Sequence, residues 1–142
     1  MTQLPDTTTE AGQREASVML ARLCGMLRMT KESRNTGRYV QIMDVVTFLN
    51  QVTGETESSY IYNGEIERYS KQVTPNLYDP ANMALAWRVL NFAAENVPYF
   101  SKWWHDIAVV TIQDLPPAAL SIFLCDNILR LADEAGMIEV KE

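Results

Sequence analysis

The sequence predicts a mainly α fold, a compact domain of five helices with one small antiparallel β-hairpin at about residues 58–70. Two observations lead to this prediction. Apolar residues recur at the spacing of one helix face in several segments, which is typical of amphipathic helices packed around a core. An Asn-Gly pair also separates two short runs of strand-forming residues, which is a strong local sign of a hairpin. A third short strand at the C-terminus is left open as an addition to the hairpin.

A single domain is expected over residues 1–142, because a chain of this length buries a sizeable core without disulfides or metal ions. Residues 1–9 are polar and are expected to fray. Thr8 or Thr9 then caps a first helix that runs to about Met29. Its apolar residues follow one helix face: Ala16, Leu20, Leu23, Cys24 and Leu27.

A polar, basic connector follows at residues 30–37, and a second helix is predicted from about Tyr39 to about Val52. The segment is rich in β-branched residues, which favour strands, so a strand is an open alternative. We prefer the helix because strict alternation of apolar and polar residues is absent. The residues at helical spacing are Ile42, Val45, Val46, Leu49 and Val52.

The hairpin prediction depends on Asn63-Gly64, since both residue types tolerate the positive φ angles of a type I′ turn. Pairing across this turn places Ile61 opposite Ile66 and Tyr62 opposite Glu65. One face of the hairpin is then apolar, and the other is aromatic and acidic. A lone hairpin is only marginally stable, so we expect the isoleucine face to pack on the helices.

Helices are predicted for the rest of the chain. Asp79-Pro80 is a strong helix start, and that helix should end before Pro98. A shorter helix follows at about residues 101–111. The last helix begins after Pro116-Pro117 and ends near Ala135, with Gly136 as its C-terminal cap. The core is expected around Trp87 and this final helix, and the alternating residues 137–141 are the candidate third strand.

The chain contains little of the usual equipment for catalysis. His105 is its one histidine, and Cys24 and Cys125 are its two cysteines, which the apolar neighbours predict to be buried, reduced thiols. A structural zinc site needs four close Cys or His ligands, so no metal is expected. The six glycines form no phosphate-binding motif, so no cofactor is expected either. We therefore predict that the protein is not an enzyme.

The charges are unevenly distributed. Residues 14–38 contain six basic and two acidic side chains, although the net charge of the whole chain is −6. An arginine- and lysine-rich segment could bind phosphate, so a nucleic-acid-associated regulator is one alternative function. The residues of this anionic-ligand patch are Arg28, Lys31, Arg34 and Arg38. The overall acidity argues against nucleic acid, because phosphate is repelled by acidic surfaces.

The leading expectation is a non-enzymatic protein-interaction module, such as a small inhibitor, an immunity-type protein or an adaptor. Interfaces favour tyrosine, and the hairpin offers an acidic, aromatic surface for a partner with a basic surface. The expected contact residues are Tyr60, Tyr62, Glu65, Glu67 and Tyr69. A homodimer and an enzyme with an unmarked carboxylate site remain further alternatives. No membrane contact is expected, and the predicted location is cytoplasmic, because the sequence has no signal-like or membrane-spanning stretch.

Overall fold

The computed structural model describes residues 4–62 and 64–138. It corrects the predicted fold class, because the protein is a mixed α/β domain rather than a helical domain with one hairpin. Helices account for 54% of the described residues, and a three-stranded antiparallel sheet for 19%. The elements follow the order α1, three consecutive strands, then helices. The bounds of the first four are Glu10–Leu23 (α1), Leu27–Asn35 (β1), Val40–Leu49 (β2) and Thr56–Ile61 (β3).

The first helix is shorter than predicted. Thr9 caps it through its side chain, which accepts a hydrogen bond from the Gly12 backbone N–H at 3.1 Å. The helix ends at Leu23, and Gly25 follows with a φ of +73°. The Met26 N–H donates back to a carbonyl of the last turn at 2.8 Å, which is a glycine-terminated helix end. The residues after this turn form β1, so the prediction of helix up to Met29 was wrong.

The predicted second helix is strand β2. It lies in the middle of the sheet, with β1 on one side and β3 on the other. Its residues are buried on both faces: Val46 and Phe48 face the core, while Met43 and Val45 lie on the outer face. Burial on both faces removes the apolar–polar alternation, so the strand that was kept as an alternative is the correct interpretation.

The predicted hairpin at residues 58–70 does not form. Strand β3 ends at Ile61, Gly64 turns the chain with a φ of +71°, and helix α2 begins at Ile66 and ends at Val73. Asn63 lies outside the described residues. The tight turn at Gly64 therefore joins a strand to a helix, and Ile66 belongs to α2 instead of pairing with Ile61.

The predicted C-terminal helices are confirmed. Asp79 accepts a hydrogen bond from the Ala81 N–H at 2.9 Å and caps a 3₁₀ turn that leads into the next helix. The helix predicted at about residues 101–111 extends beyond these bounds, to residues 100–114, and contains a five-residue π-helical turn, Trp104–Ala108. The third strand expected at residues 137–141 is not part of the sheet, since Met137 and Ile138 are not in a strand, and residues 139–142 lie outside the described residues. The helices are Met83–Asn96 (α3), Phe100–Trp103 (α4), Val109–Asp114 (α5) and Pro117–Glu134 (α6).

The core lies between the sheet and the helices. Helices α1 and α2 contact the strands, and α6 contacts both α1 and α3. Leu124 and Ile128 of α6 are fully buried, as the sequence predicts for the final helix. Trp87 is 37% exposed, however, so the expectation that it lies at the centre of the core was wrong.

Two buried serines attach the segment before α3 to the helices. The Ser17 hydroxyl donates to the Gln13 carbonyl at 2.8 Å and accepts from the Leu77 N–H at 2.9 Å. The Ser121 hydroxyl of α6 donates to the Tyr78 carbonyl at 2.8 Å. Backbone groups of a buried, irregular segment need such partners, because burying them unpaired is costly.

Candidate functional site

The β1–β2 hairpin projects beyond the body of the protein. Strand β1 pairs with β2 from Leu27 to Asn35, but β3 pairs with β2 only from Asp44 onward. The distal part of the hairpin is therefore a two-stranded ribbon, and every residue from 30 to 42 is exposed. We call residues 30–42 the arm.

The tip of the arm is a defined turn. The Thr36 N–H donates to the Tyr39 carbonyl at 3.1 Å, and the Asn35 side chain accepts from the Gly37 N–H at 2.9 Å. Gly37 has a φ of +97°, a conformation that residues with a side chain rarely adopt. These contacts fix the end of the ribbon and present Arg38 and Tyr39 to solvent.

Large apolar side chains lie on the arm without cover. Tyr39 is 71% exposed, Val40 is 68% exposed and Ile42 is 72% exposed. Val40 and Ile42 share one face of β2 with the core residues Val46 and Phe48, because side chains alternate along a strand. Past the helices, the core-facing side of the sheet therefore carries an uncovered apolar strip, Val40 and Ile42, which Asp44 separates from Val46.

The four basic residues of the anionic-ligand patch are all exposed, but a strand distributes them differently from a helix. The pairing register places Arg28 and Arg34 on the outer face of the sheet and Lys31 on the opposite face, which is the face of the apolar strip. Arg38 lies in the turn at the tip. Positive charge therefore surrounds the arm instead of forming one stripe.

One contact joins the basic patch to the aromatic patch. The Arg34 guanidinium lies over the Tyr60 ring, 5.6 Å from its centroid. Because β2 runs between the two strands, this contact crosses β2 at the level of Met43. Met43 is 2% exposed and Val45 is 7% exposed, although neither belongs to the main core cluster. The structure thus brings together two surfaces that the sequence presented separately.

The other four predicted contact residues lie in the link after β3 or on helix α2. Tyr62 and Glu65 are exposed, but they belong to the link between β3 and α2. Glu67 forms an ion pair with Arg22 at 3.0 Å. The half-buried Tyr69 donates to the Ser59 hydroxyl at 2.6 Å and packs against the core. With Tyr60 under Arg34, three of the five side chains therefore make contacts within the domain.

Arg22 connects the base of the arm to α2. Its guanidinium donates to the Glu67 carboxylate at 3.0 Å and to the Met29 sulfur, also at 3.0 Å. Met29 is the last half-buried residue of β1 before the arm begins. These contacts tie β1 to α1 and α2 just before the arm begins.

Sequence reasoning missed the arm itself. Ile42 was predicted to lie on the apolar face of a helix, and Val40 was given no role. The strand interpretation of residues 39–52 was the available signal, because it turns the adjacent basic connector into the other half of a hairpin. The polar tip sequence Asn35-Thr36-Gly37 also supplies the residue types of a turn.

The histidine and the cysteines stand apart from the arm. His105 is exposed on the π-helical turn. Cys24 and Cys125 are buried free thiols, as the sequence predicts. Burial raises the pKa of Cys24 to about 12. Burial also raises the pKa of Cys125, with a further increase from the neighbouring Asp126 carboxylate.

Within residues 4–62 and 64–138, no three His, Cys, Asp or Glu side chains lie close enough together to hold a metal ion. An open groove beside the β2–β3 turn has exposed Glu55 and Glu57 and apolar Phe48 and Val73 among its lining residues. The enzyme alternative with a carboxylate site would have to use such groups, and it stays a prediction.

In the part of the chain that the structure describes, no helix is both long enough and apolar enough to cross a membrane.

The arm is therefore the most distinctive surface of the domain, with apolar, aromatic and basic side chains exposed on one narrow projection. Comparison of the chain with protein-family models, with curated proteins and with solved structures found no match.

Proposed function

We propose that this protein is a non-enzymatic binding module that captures another protein through the arm. The observation that carries the proposal is the exposure of every residue from 30 to 42, including three large apolar side chains, Tyr39, Val40 and Ile42. A two-stranded ribbon is marginal in water by itself. Contact with a partner would cover the apolar strip and stabilise the ribbon.

The chemistry of the arm favours an acidic partner. The arm has three basic side chains, Lys31, Arg34 and Arg38, and one acidic side chain, Glu32. Charge complementarity across an interface speeds the encounter and excludes wrong partners. A suitable partner surface would place carboxylates around an apolar patch or groove. This differs from the basic partner that the acidic hairpin had suggested.

The residue types support protein recognition. Tyrosine and arginine are enriched at the energetically dominant positions of interfaces, and Tyr39, Arg38 and Arg34 are exposed on the arm. Val40 and Ile42 would fill apolar pockets on a partner but contribute little to phosphate binding. A protein partner therefore uses more of the exposed surface than a nucleic acid would.

A nucleic-acid-associated regulator is the second candidate. It is supported by the exposure of Arg28, Lys31, Arg34 and Arg38 on a two-stranded ribbon, since such ribbons fit the major groove of DNA. The acidic remainder of the chain opposes this function.

The experiment compares the wild-type protein with the double variant Val40→Thr and Ile42→Thr in affinity capture from a native lysate. Threonine keeps the β-branched shape but removes apolar surface, so the fold should persist. Val52→Thr is the matched control, because Val52 is 45% exposed in the turn at the opposite end of the sheet. We expect a specific protein that the double variant loses and the control retains.

Equal recovery of every captured protein by the double variant would overturn the proposal. Fluorescence anisotropy with mixed DNA and RNA at low salt tests the second candidate. Binding that falls steeply with salt, and that Val40→Thr with Ile42→Thr leaves unchanged, would favour nucleic acid instead.

A further inference from the structure

The outer edge of β1 is available for pairing along the arm. β1 is an edge strand of the sheet, and its arm residues are exposed. An edge strand presents backbone N–H and C=O groups that its one neighbour does not use. Native edges are often protected by charged side chains, especially lysine. Here the basic Lys31 and the acidic Glu32 stand next to each other. The edge therefore carries both signs, which suits a self-complementary contact.

We infer that the arm edge of β1 pairs antiparallel with the same strand of a second copy, about a two-fold axis through Ser33. Dimers with two-fold symmetry use the same surface patch on both subunits. When the two-fold axis is perpendicular to the sheet, the residue of β1 at the axis must pair with the same residue of the second copy. Each possible pairing register is therefore defined by the residue that lies at the axis.

Charge and exposure select among these choices. An axis at Lys31, Glu32 or Arg34 would place like charges directly opposite each other, which is destabilising. An axis at Thr30 would bring Leu27 and Met29 into the pairing with the second copy. Leu27 is buried in its own domain and Met29 is half-buried there, so the second copy would meet the body of the domain. These registers are therefore unfavourable.

An axis at Ser33 satisfies both conditions. It places Glu32 opposite Arg34 of the second copy twice, once on each side of the axis, so that Arg34 would turn from the Tyr60 ring of its own chain toward Glu32 of the other. It also places Lys31 opposite Asn35, so no like charges meet. All five paired positions, 31–35, are exposed on the arm, so the bodies of the two copies stay apart.

The pairing would convert two ribbons into one four-stranded antiparallel ribbon. Three or more strands with an apolar face can be stable where a two-stranded ribbon is marginal. Ile42 lies opposite Ser33 on β2, so the apolar strips of both copies would share one face of the joined ribbon. The inference does not rest on the proposed function. Dimerisation would use the edge of β1, whereas the test of partner capture changes side chains on one face of β2.

Disulfide trapping tests the register. The probe is Ser33→Cys, since the two-fold axis brings this residue against its own copy. The control is Ser58→Cys, which is equally an exposed serine on a strand but lies on β3. The native thiols Cys24 and Cys125 are buried and do not compete. We expect Ser33→Cys to form interchain disulfides at least ~10-fold faster than the control at equal protein concentration, because pairing raises the local thiol concentration.

Thr30→Cys serves as the register control and should react at the rate of Ser58→Cys. Faster trapping of Thr30→Cys than of Ser33→Cys would overturn the Ser33 axis. Trapping of Ser33→Cys at the control rate, with a wild-type protein that sediments as a monomer at every concentration, would overturn the pairing altogether.

A charge exchange tests the pairing without new thiols. Glu32→Arg alone and Arg34→Glu alone should each reduce the dimer fraction in sedimentation velocity, because each places like charges opposite each other. The double exchange, Glu32→Arg with Arg34→Glu, should restore it. Circular dichroism of each variant shows whether the sheet is intact, and a folded double variant without recovered dimer would contradict the inference. Glu32→Arg keeps Val40, Ile42 and every basic side chain of the arm, so it should lose the dimer but still capture the protein partner. Failure of dimerisation and failure of partner capture are therefore separable.

Discussion

The Arg34 guanidinium lies over the ring of Tyr60, and the two side chains come from opposite edges of the sheet. The contact crosses the central strand and coincides with the near-complete burial of Met43 on the outer face of the sheet. A cation over an aromatic ring thus connects the arm to the third strand, at the point where that strand ends.

We expect Arg34 and Tyr60 to be energetically coupled. A double-mutant cycle with Arg34→Ala and Tyr60→Ala, measured by urea unfolding, should give a coupling free energy of about 0.5–1 kcal/mol, as for other partly exposed cation–π pairs. Tyr60→Phe should keep most of it because the ring remains. Tyr62→Ala is the control and should show no coupling to Arg34→Ala. Simple additivity of the Arg34 and Tyr60 effects would mean that the contact adds nothing to stability.

Ser17 should be important for stability despite its small size. Replacement by alanine leaves the buried Leu77 N–H without its acceptor, so we expect Ser17→Ala to lower the free energy of unfolding by about 1–3 kcal/mol. The measurement is chemical denaturation with a fitted midpoint and slope. Ser101→Ala, at an exposed position, should change stability by less than about 0.5 kcal/mol. An equal effect of both substitutions would show that the Ser17 contact is not stabilising.

Both cysteines should be unreactive in the folded protein. The thiolate is the reactive form, and burial raises the pKa of Cys24 to about 12 while also protecting Cys125 from reagents. Labelling with a maleimide near neutral pH should therefore be slow in buffer and should reach both thiols in denaturant. Rapid labelling of the native protein at either position would contradict their burial.

Stability should fall as the solution becomes alkaline. The Cys24 thiol ionises near pH 9 in the unfolded chain but only near 12 in the folded one, so above about pH 9 the unfolded state binds fewer protons. The stabilisation is complete below pH 9 and is lost progressively as the pH rises toward 12, by up to about 1.4 kcal/mol per pH unit for each such group. Burial raises the pKa of Tyr78 as well, with the nearby Asp126 carboxylate adding to the shift, so it acts in the same direction.

Cys24→Ala isolates the contribution of Cys24 to this pH dependence. The variant loses some packing at every pH, but its unfolding free energy should decline less steeply between about pH 9 and 11 than that of the wild type. Urea titrations at several pH values provide the comparison. Parallel curves for the two proteins would show that Cys24 ionises at the same pH in both states.

The helices of the C-terminal half could be predicted from the sequence because their ends carry local signals. Asp79-Pro80 starts one helix, Pro116-Pro117 precedes another, and Gly136 follows the last. Capping and proline effects act over a few residues, so a single sequence displays them directly. The thiols were also predicted correctly, since apolar neighbours at helical spacing indicate burial.

The sheet could not be predicted in the same way, because it depends on contacts between distant residues. β2 is buried on both faces, and its apolar run fits a helix as well as a strand. The Asn63-Gly64 pair favours a hairpin locally, but the residues after it pack as helix α2 against the sheet. Tertiary packing therefore overrode the local preference in both segments.

The candidate site could be predicted only in part. The basic residues Arg28 to Arg38 and the tyrosine at position 60 were identified from their types, and all are exposed. Their meeting through Arg34 and Tyr60 depends on the strand order, which no local pattern displays. The exposure of Val40 and Ile42 depends on where β3 stops, and that is equally a property of the folded sheet.

The projection of the arm makes it an accessible substrate for proteases. Trypsin cleaves after lysine and arginine, and Lys31, Arg34 and Arg38 lie on the exposed arm. Along the arm, β1 is paired with one strand, β2. Local opening costs least where contacts are fewest, so the first cuts should fall there while the packed helices stay intact. Any molecule seated on the ribbon would delay those cuts, and the rate of nicking would report its occupancy.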